Sequence, residues 1–426
     1  MTDVVAGQPA AAPAPQPLPP RQRSSRGESF RSRIDAATPP ERDRAIDGLR
    51  ALATLGVIVG HWLVGALVVQ PDGALQISSP LQTLGWLGPA SWILQMLGLF
   101  FLVGGYSAVA SQARAQSRGE SYRDWVLRRF VRLGRPVVAA ISVSAACLLV
   151  LGAVGVPTGT LRTWVVLLVQ PFWFVLVYAA LTALTRYAVA ADRRLGAWAA
   201  LPLFAIVAAG DLLRYGPWQD AVPSWVGLVN LLPGWLFAYQ LGVSWARGRL
   251  VRRGWWLLLG GGTVAFAVLV LAFDYPLSMV GVPGAERTNS HPPSLLVPAL
   301  AAIQSGAAIA LHRRLNRLLR APGLWAGVAV VNLAAMTIFC WHQVPMVLVS
   351  MGGAVSGEVP GLTAAPEDLG WVLARLAWIP AMAVLLAGIA LLTRRFEGPW
   401  DGLARGYRLL AAILAVVFAG FAVALY

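Results

Sequence analysis

The chain has 426 residues, of which 57% are hydrophobic and 12% charged, about half the charged share of a soluble domain. Its net charge of +15 comes from 34 basic residues, all of them arginine. Apolar blocks of roughly 20 residues recur from residue 45 onward, which excludes water as the main solvent, and the alternating strands of a membrane barrel are absent.

In chain order, residues 1–44 are expected to form a disordered, cytoplasmic Pro- and Arg-rich tail, with no apolar block that could act as a secretory signal. Membrane helices are predicted at about 45–69, 90–112, 136–156, 163–186, 197–213, 225–243, 254–273, 293–312, 326–350, 369–393 and 409–425. The expected fold is an all-α polytopic transmembrane bundle of ten core helices in a domain over 45–395. A loop and one additional C-terminal helix follow over 396–426. Cys147 and Cys340 both fall inside apolar blocks, with no disulfide or metal spacing.

Arginine placement tests this division, because Arg in short loops stays cytoplasmic. The tail and alternate loops hold 29 arginines, while the opposite loops hold Arg162, Arg214 and Arg287. The N-terminus is therefore expected in the cytoplasm and the C-terminus outside, in a multi-pass protein of the cell membrane whose partners include its lipids. Charge placed this way marks topology and leaves no role for nucleic acid.

The first membrane helix reads RAIDGLRALATLGVIVGHWLVGALVV and carries Asp47, Arg50 and His61. Arg50 and His61 are 11 residues apart, almost three full turns, so they share one face about 16 Å apart along the axis. Asp47, three residues before Arg50, lies on that face too. Ionisable groups inside a membrane face a protein-lined cavity. A neutral imidazole takes a proton from a hydroxyl near neutral pH, and an arginine fork suits an anion. The same spacing also suits an Asp47–Arg50 ion pair at the interface, with His61 bonded to a neighbouring helix.

Farther along, Arg128, Arg132 and Arg135 recur at helical spacing with Arg129 beside them, a cluster that can grip either donor phosphates or anionic headgroups. His342, Trp173 and Asn332 are candidate substrate-lining residues, and Gln170, Asn230, Gln240 and Arg375 are further polar groups in apolar blocks. Interhelical hydrogen bonds account equally well for most of them.

Arg44 and Asp47 to Ala53 (R-x-x-D-G-L-R-A-L-A), with His61 eleven residues after Arg50, resemble the acyltransferase family 3 membrane enzymes. LFFLVGGYSA (Leu99 to Ala108) is similar to that family's second helix, with Gly104 in place of the usual serine, and RRFVRLGRP (Arg128 to Pro136) resembles its R-x-x-R element before a helix-starting proline. The Trp341–His342 pair fits more loosely, and the loop from Asp274 to Pro293 is similar to a stretch of actinobacterial members. The resemblance implies transfer of an acyl group from acyl-CoA, with no metal, to a hydroxyl or amine of a glycan, glycolipid or related metabolite. It implies His61 as base, Arg50 oriented by Asp47, and Arg128, Arg129 and Arg132 on the donor. A proton-coupled transporter or flippase of a lipid or sugar is the alternative, although matching broken helices in inverted repeats are not apparent.

Overall fold

A computed structural model describes residues 30–250, 254–285 and 287–396, with single helical positions at 413, 416 and 420. The chain is an all-α polytopic bundle whose described residues form one small sheet, a hairpin. The helices are α1 (Phe30–Ala36), α2 (Arg44–Val64), α3 (Ser91–Leu94), α4 (Leu97–Ser117), α5 (Tyr122–Ala153), α6 (Thr158–Val169), α7 (Phe172–Ala183) and α8 (Thr185–Leu195). They continue as α9 (Leu201–Tyr215), α10 (Leu231–Ala246), α11 (Gly254–Ala272), α12 (Leu296–Leu318), α13 (Pro322–Leu333), α14 (Ala335–Trp341), α15 (Val344–Ala354) and α16 (Leu369–Thr393). Among the described residues, eight helical spans are long and apolar enough to cross a membrane, or up to nine when α8 and α9, bent by 90°, count as one.

Several boundaries differ from those expected, each for a local reason. The first membrane helix stops at Val64, and Ala66–Val69 pairs antiparallel with Leu75–Ser78 around a Pro71–Asp72–Gly73 turn. Asp72 accepts from the Ala74 N–H, and Gly73 supplies the positive φ that such turns demand. Helix α5 begins at Tyr122 rather than at Pro136, because the Ser121 side chain caps it by accepting from the Asp124 N–H. Its 32 residues reach about 48 Å, well past a hydrocarbon core of about 30 Å, so the arginine cluster lies on a helical extension.

The expected 326–350 helix is broken at Ala334 and again at His342–Gln343. Pro345 has no N–H to offer the Trp341 carbonyl, which opens the turn, and the His342 carbonyl accepts instead from Trp62 Nε1 at 2.6 Å. Helix α12 is 23 residues long but too polar to count among the apolar spans. It packs on α11, α4, α10 and α2, where Gln304, His312 and Asn316 find partners in the bundle. Residues 30–43, expected to be tail, form α1 and its connection to α2, and Trp325 Nε1 donates to Thr38 Oγ1 at 2.8 Å. The eleventh helix expected over 409–425 lies outside the described residues apart from those single positions.

Helices α4 and α10 are in backbone contact. A Cβ added at Gly105 would lie 2.0 Å from the Tyr239 carbonyl oxygen, and one at Gly242 would lie 1.9 Å from that of Leu102. Small residues of this kind let membrane helices approach closely. Gly105→Leu is expected to cost at least the 1–3 kcal/mol typical of overpacking, seen as a lowered unfolding temperature in detergent. Gly260→Ala, where nothing lies within 4 Å, should leave that temperature near wild type, and equal behaviour of the two variants would contradict the packing argument.

The arginine-rich segments converge on the end of the bundle that holds the start of α2. Arg44 donates to the Leu319 carbonyl at 3.1 Å, Arg186 lies over Tyr122 at the start of α5, and Arg247 pairs with the buried Asp192. The opposite end is closed by the hairpin, residues 79–96 and the 273–295 loop. Trp92 Nε1 donates to the Leu277 carbonyl at 2.5 Å, and the Met279 N–H donates to Ser91 Oγ at 2.8 Å. Buried Asp211 anchors this loop by accepting from Leu295 N (2.6 Å), Tyr275 OH (2.9 Å) and Asn230 Nδ2 (2.8 Å). Burial and then the Asp211 charge push the Tyr275 phenol above its usual range.

Candidate active site

The polar face of α2 begins at its cap. Asp43 accepts from the Ile46 N–H at 3.3 Å, and its carboxylate also meets His312 Nε2 at 2.9 Å, Tyr106 OH and Asn316 Nδ2. Burial raises the Asp43 pKa, but the hydrogen bond and charge of His312, with the hydrogen bonds from Ile46 N–H and Asn316, together hold the carboxyl below its ordinary value. One turn on, buried Asp47 receives Arg42 Nε at 2.6 Å on one oxygen and Arg50 Nη1 at 3.1 Å on the other. Arg50 Nη2 then reaches across to α4 and donates to Ser107 Oγ at 2.7 Å. The Asp47–Arg50 ion pair is thus present, and it leaves part of the Arg50 fork unspent.

Asn332 closes this end by donating from Nδ2 to the Asp47 carbonyl at 2.8 Å. Of the arginines expected to hold a donor, Arg129 is linked through Trp125 to the same stripe of α4. Its guanidinium lies 4.8 Å over the Trp125 ring, and Trp125 Nε1 donates to Ser111 Oγ at 3.0 Å, one turn from Ser107. Arg50 therefore meets α4 directly at Ser107, whereas Arg129 is linked to the next turn only through Trp125. Arg128 is exposed and paired with Glu120, and Arg132 is exposed. Neither of these two is brought to the α4 stripe by a described contact.

Thr54 and Val57 follow Arg50 on the same face of α2, at +4 and +7, with His61 at +11. Both line a small, partly open cleft of about 20 Å³, completed by Leu97, Phe100, Phe174, Ala335, Met336 and Phe339. The Thr54 hydroxyl is spent on the Arg50 carbonyl at 3.0 Å, so the cleft wall is apolar. It lies between the Arg50 end of α2 and the imidazole.

His61 sits near the far end of α2, within a second polar group. Its Nδ1 is 3.1 Å from Gln343 Nε2, and its ring centroid is 4.9 Å from that of His342. His342 is buried, with Nδ1 2.6 Å from the Phe339 carbonyl and Nε2 unpartnered. His291, from the 273–295 loop, is close enough to interact electrostatically with His61 and packs edge-on against Trp173 at 4.7 Å. Its surroundings hold the His291 imidazole below its usual pKa by desolvation, although its edge stays exposed. Trp173 in turn packs on Trp235, 5.6 Å away, and so borders this second polar group.

Arg375 holds the end of α2 in place. Fully buried, it donates to the carbonyls of Trp62 (2.8 Å), Gly65 (2.5 Å) and Gly361 (3.0 Å). Its charge thus meets the negative end of the α2 dipole rather than a carboxylate. Gln240 and Asn230 bond the Ala188 carbonyl and Asp211, which makes them packing residues outside the cleft. Among the described residues, no group of His, Cys, Asp and Glu is arranged to hold a metal ion.

Ser107, Gln343 and the Asp43–His312 pair are parts of this arrangement that the sequence reading missed. Ser107 and Ser111 at i,i+4 in an apolar helix, and the amide next to His342, are the signals that were available. The sequence model of the family described as acyltransferase domain, acyltransferase family 3, matches residues 43–394. No curated protein and no solved structure matches the chain. With most of its length matched, the chain belongs to acyltransferase family 3.

Proposed function

We propose that this membrane acyltransferase takes its acyl group from acyl-CoA on the arginine-rich, cytoplasmic side and transfers it to a hydroxyl or amine of an envelope glycan, glycolipid or related metabolite. The observation that carries this reading is the order along one face of α2: anion fork, apolar cleft, imidazole. Arg50 and His61 are about 16 Å apart, too far to touch one small group, so a substrate engaging both is elongated. A thioester with a charged head and a long thin arm has that form. Arg50 and Arg129 grip the head, the arm and acyl group follow the apolar cleft, and the reacting carbonyl reaches His61, which takes the proton from the acceptor.

On this reading the 273–295 loop, with His291 and Trp173, forms the side from which the acceptor enters. A proton-coupled transporter would use the same polar stripe, but it calls for paired broken helices, and among the described residues one helix pair is sharply bent. Purified protein given acetyl-CoA and a total lipid and glycan extract should release free thiol and label an extract component with the acyl group. Thiol release that never depends on the extract, or uptake of an extract component without acylation, would contradict the assignment.

A further inference from the structure

A neutral imidazole carries one N–H, and the partner of one ring nitrogen decides the state of the other. At His342 the partner of Nδ1 is the Phe339 carbonyl at 2.6 Å, which only accepts, so Nδ1 carries the hydrogen and the unpartnered Nε2 is bare. His61 is the reverse. Its Nδ1 faces the Gln343 amide nitrogen at 3.1 Å, which only donates, so the proton resides on Nε2. In that state Nε2 cannot accept a proton. The other end of the same amide, Gln343 Oε1, is buried without a partner.

The terminal torsion of a glutamine is broad and roughly two-fold, and the two ends of its amide are nearly the same size. A half-turn brings Oε1 onto His61 Nδ1 with little repacking. Because Oε1 only accepts, the ring proton then sits on Nδ1 and Nε2 is free. We propose that Gln343 is the positioning residue of His61, and that its amide, by presenting one end or the other, switches the ring between a resting tautomer and the reactive one.

This inference rests on His61 being the base of the proposed transfer. The proton that leaves Nε2 and the one that arrives at Nδ1 exchange through solvent, which the partly exposed His61 reaches. In the reactive state the acceptor O–H or N–H gives its proton to Nε2 as its oxygen or nitrogen bonds the acyl carbon. The C–S bond then breaks, and the sulfur leaves with the electron pair and takes the proton from Nε2 as a free thiol. While the ring is doubly protonated, Oε1 accepts from Nδ1–H. The other ionisable groups around His61 are His342, His291 and Arg375, the last engaged by backbone carbonyls.

Full-length protein in detergent micelles, with ¹⁵N in its imidazole rings, has four histidines to assign, and the His61 signals are those lost in His61→Asn. Wild type is expected to carry the His61 proton on Nε2, and Gln343→Glu, whose carboxylate only accepts, on Nδ1. In thiol release from acetyl-CoA with the extract, Gln343→Leu should lose about 10- to 100-fold in kcat, a part of the roughly 10²- to 10⁴-fold that a positioned base contributes. KM for acetyl-CoA should hold near the wild-type value, and Gln343→Glu should recover turnover that Gln343→Leu lacks. The same His61 tautomer in wild type and Gln343→Glu, or an unchanged kcat in Gln343→Leu, overturns the proposal. If His61→Ala keeps wild-type turnover, the base assignment fails, while the ring spectra still decide whether Gln343 sets the tautomer.

Discussion

His61→Ala is expected to lower acyl transfer by about 10²- to 10⁴-fold, the contribution typical of a positioned general base, while the folded protein keeps near wild-type thermal stability. The two effects separate because the ring contributes little to holding α2. That helix is fixed by Arg375 on the Trp62 and Gly65 carbonyls, by the Trp62 side chain on the His342 carbonyl, and by the Asp43 cap at its other end. Removing the imidazole deletes one hydrogen bond to Gln343 and a ring contact with His342, on a side chain that is not fully buried. Thiol release and thermal unfolding of the same preparation test both halves. A variant that keeps more than about a tenth of wild-type turnover cannot have lost its base, and His342, with its bare Nε2, becomes the group to remove next.

The polar face of α2 was legible because a 3.6-residue period needs no knowledge of any other helix: Asp47, Arg50 and His61 fall on one side by counting alone. The same holds for the arginine-rich end of the bundle, which loop composition reveals. Helix ends were less legible, since apolar content averages over about 20 residues whereas a single residue decides a break. Ala66–Val69 reads as a continuation of the apolar run before it, yet the Pro71–Asp72–Gly73 turn folds it back as a strand. Pro345 likewise opens the helix at His342 and so lets Gln343 face His61.

Partners across the bundle were beyond reach for a related reason, because spacing fixes direction but not distance. Arg128 has the same chemistry as Arg129, but a turn at Gly119 sets Glu120 against it, whereas Arg129 folds over Trp125 toward α4. Ser107 stood in a stretch already noted for its resemblance, and only the packing of α4 against α2 shows it as the second anchor of Arg50.

Arg50→Lys should therefore lose most of the donor-dependent activity although the charge is kept. The arginine spends Nη1 on Asp47 and Nη2 on Ser107, two acceptors on different helices, and leaves the rest of its planar fork for the anion it is proposed to bind. An ammonium is a point charge with three rotatable donors and cannot hold that geometry. Losing one charge-assisted hydrogen bond is worth about 1.5–3 kcal/mol, which corresponds to roughly 10- to 150-fold in kcat/KM. The loss should appear mainly in KM for acetyl-CoA if Arg50 binds the head of the donor, and equally in kcat if it meets charge that develops during the reaction. Ser107→Ala removes one anchor and leaves the fork, so it should fall between wild type and Arg50→Lys. Steady-state kinetics of the three proteins decide the matter: Arg50→Lys with wild-type kcat/KM would show that the side chain acts by charge alone, and the order of anion fork, cleft and imidazole would lose its first member.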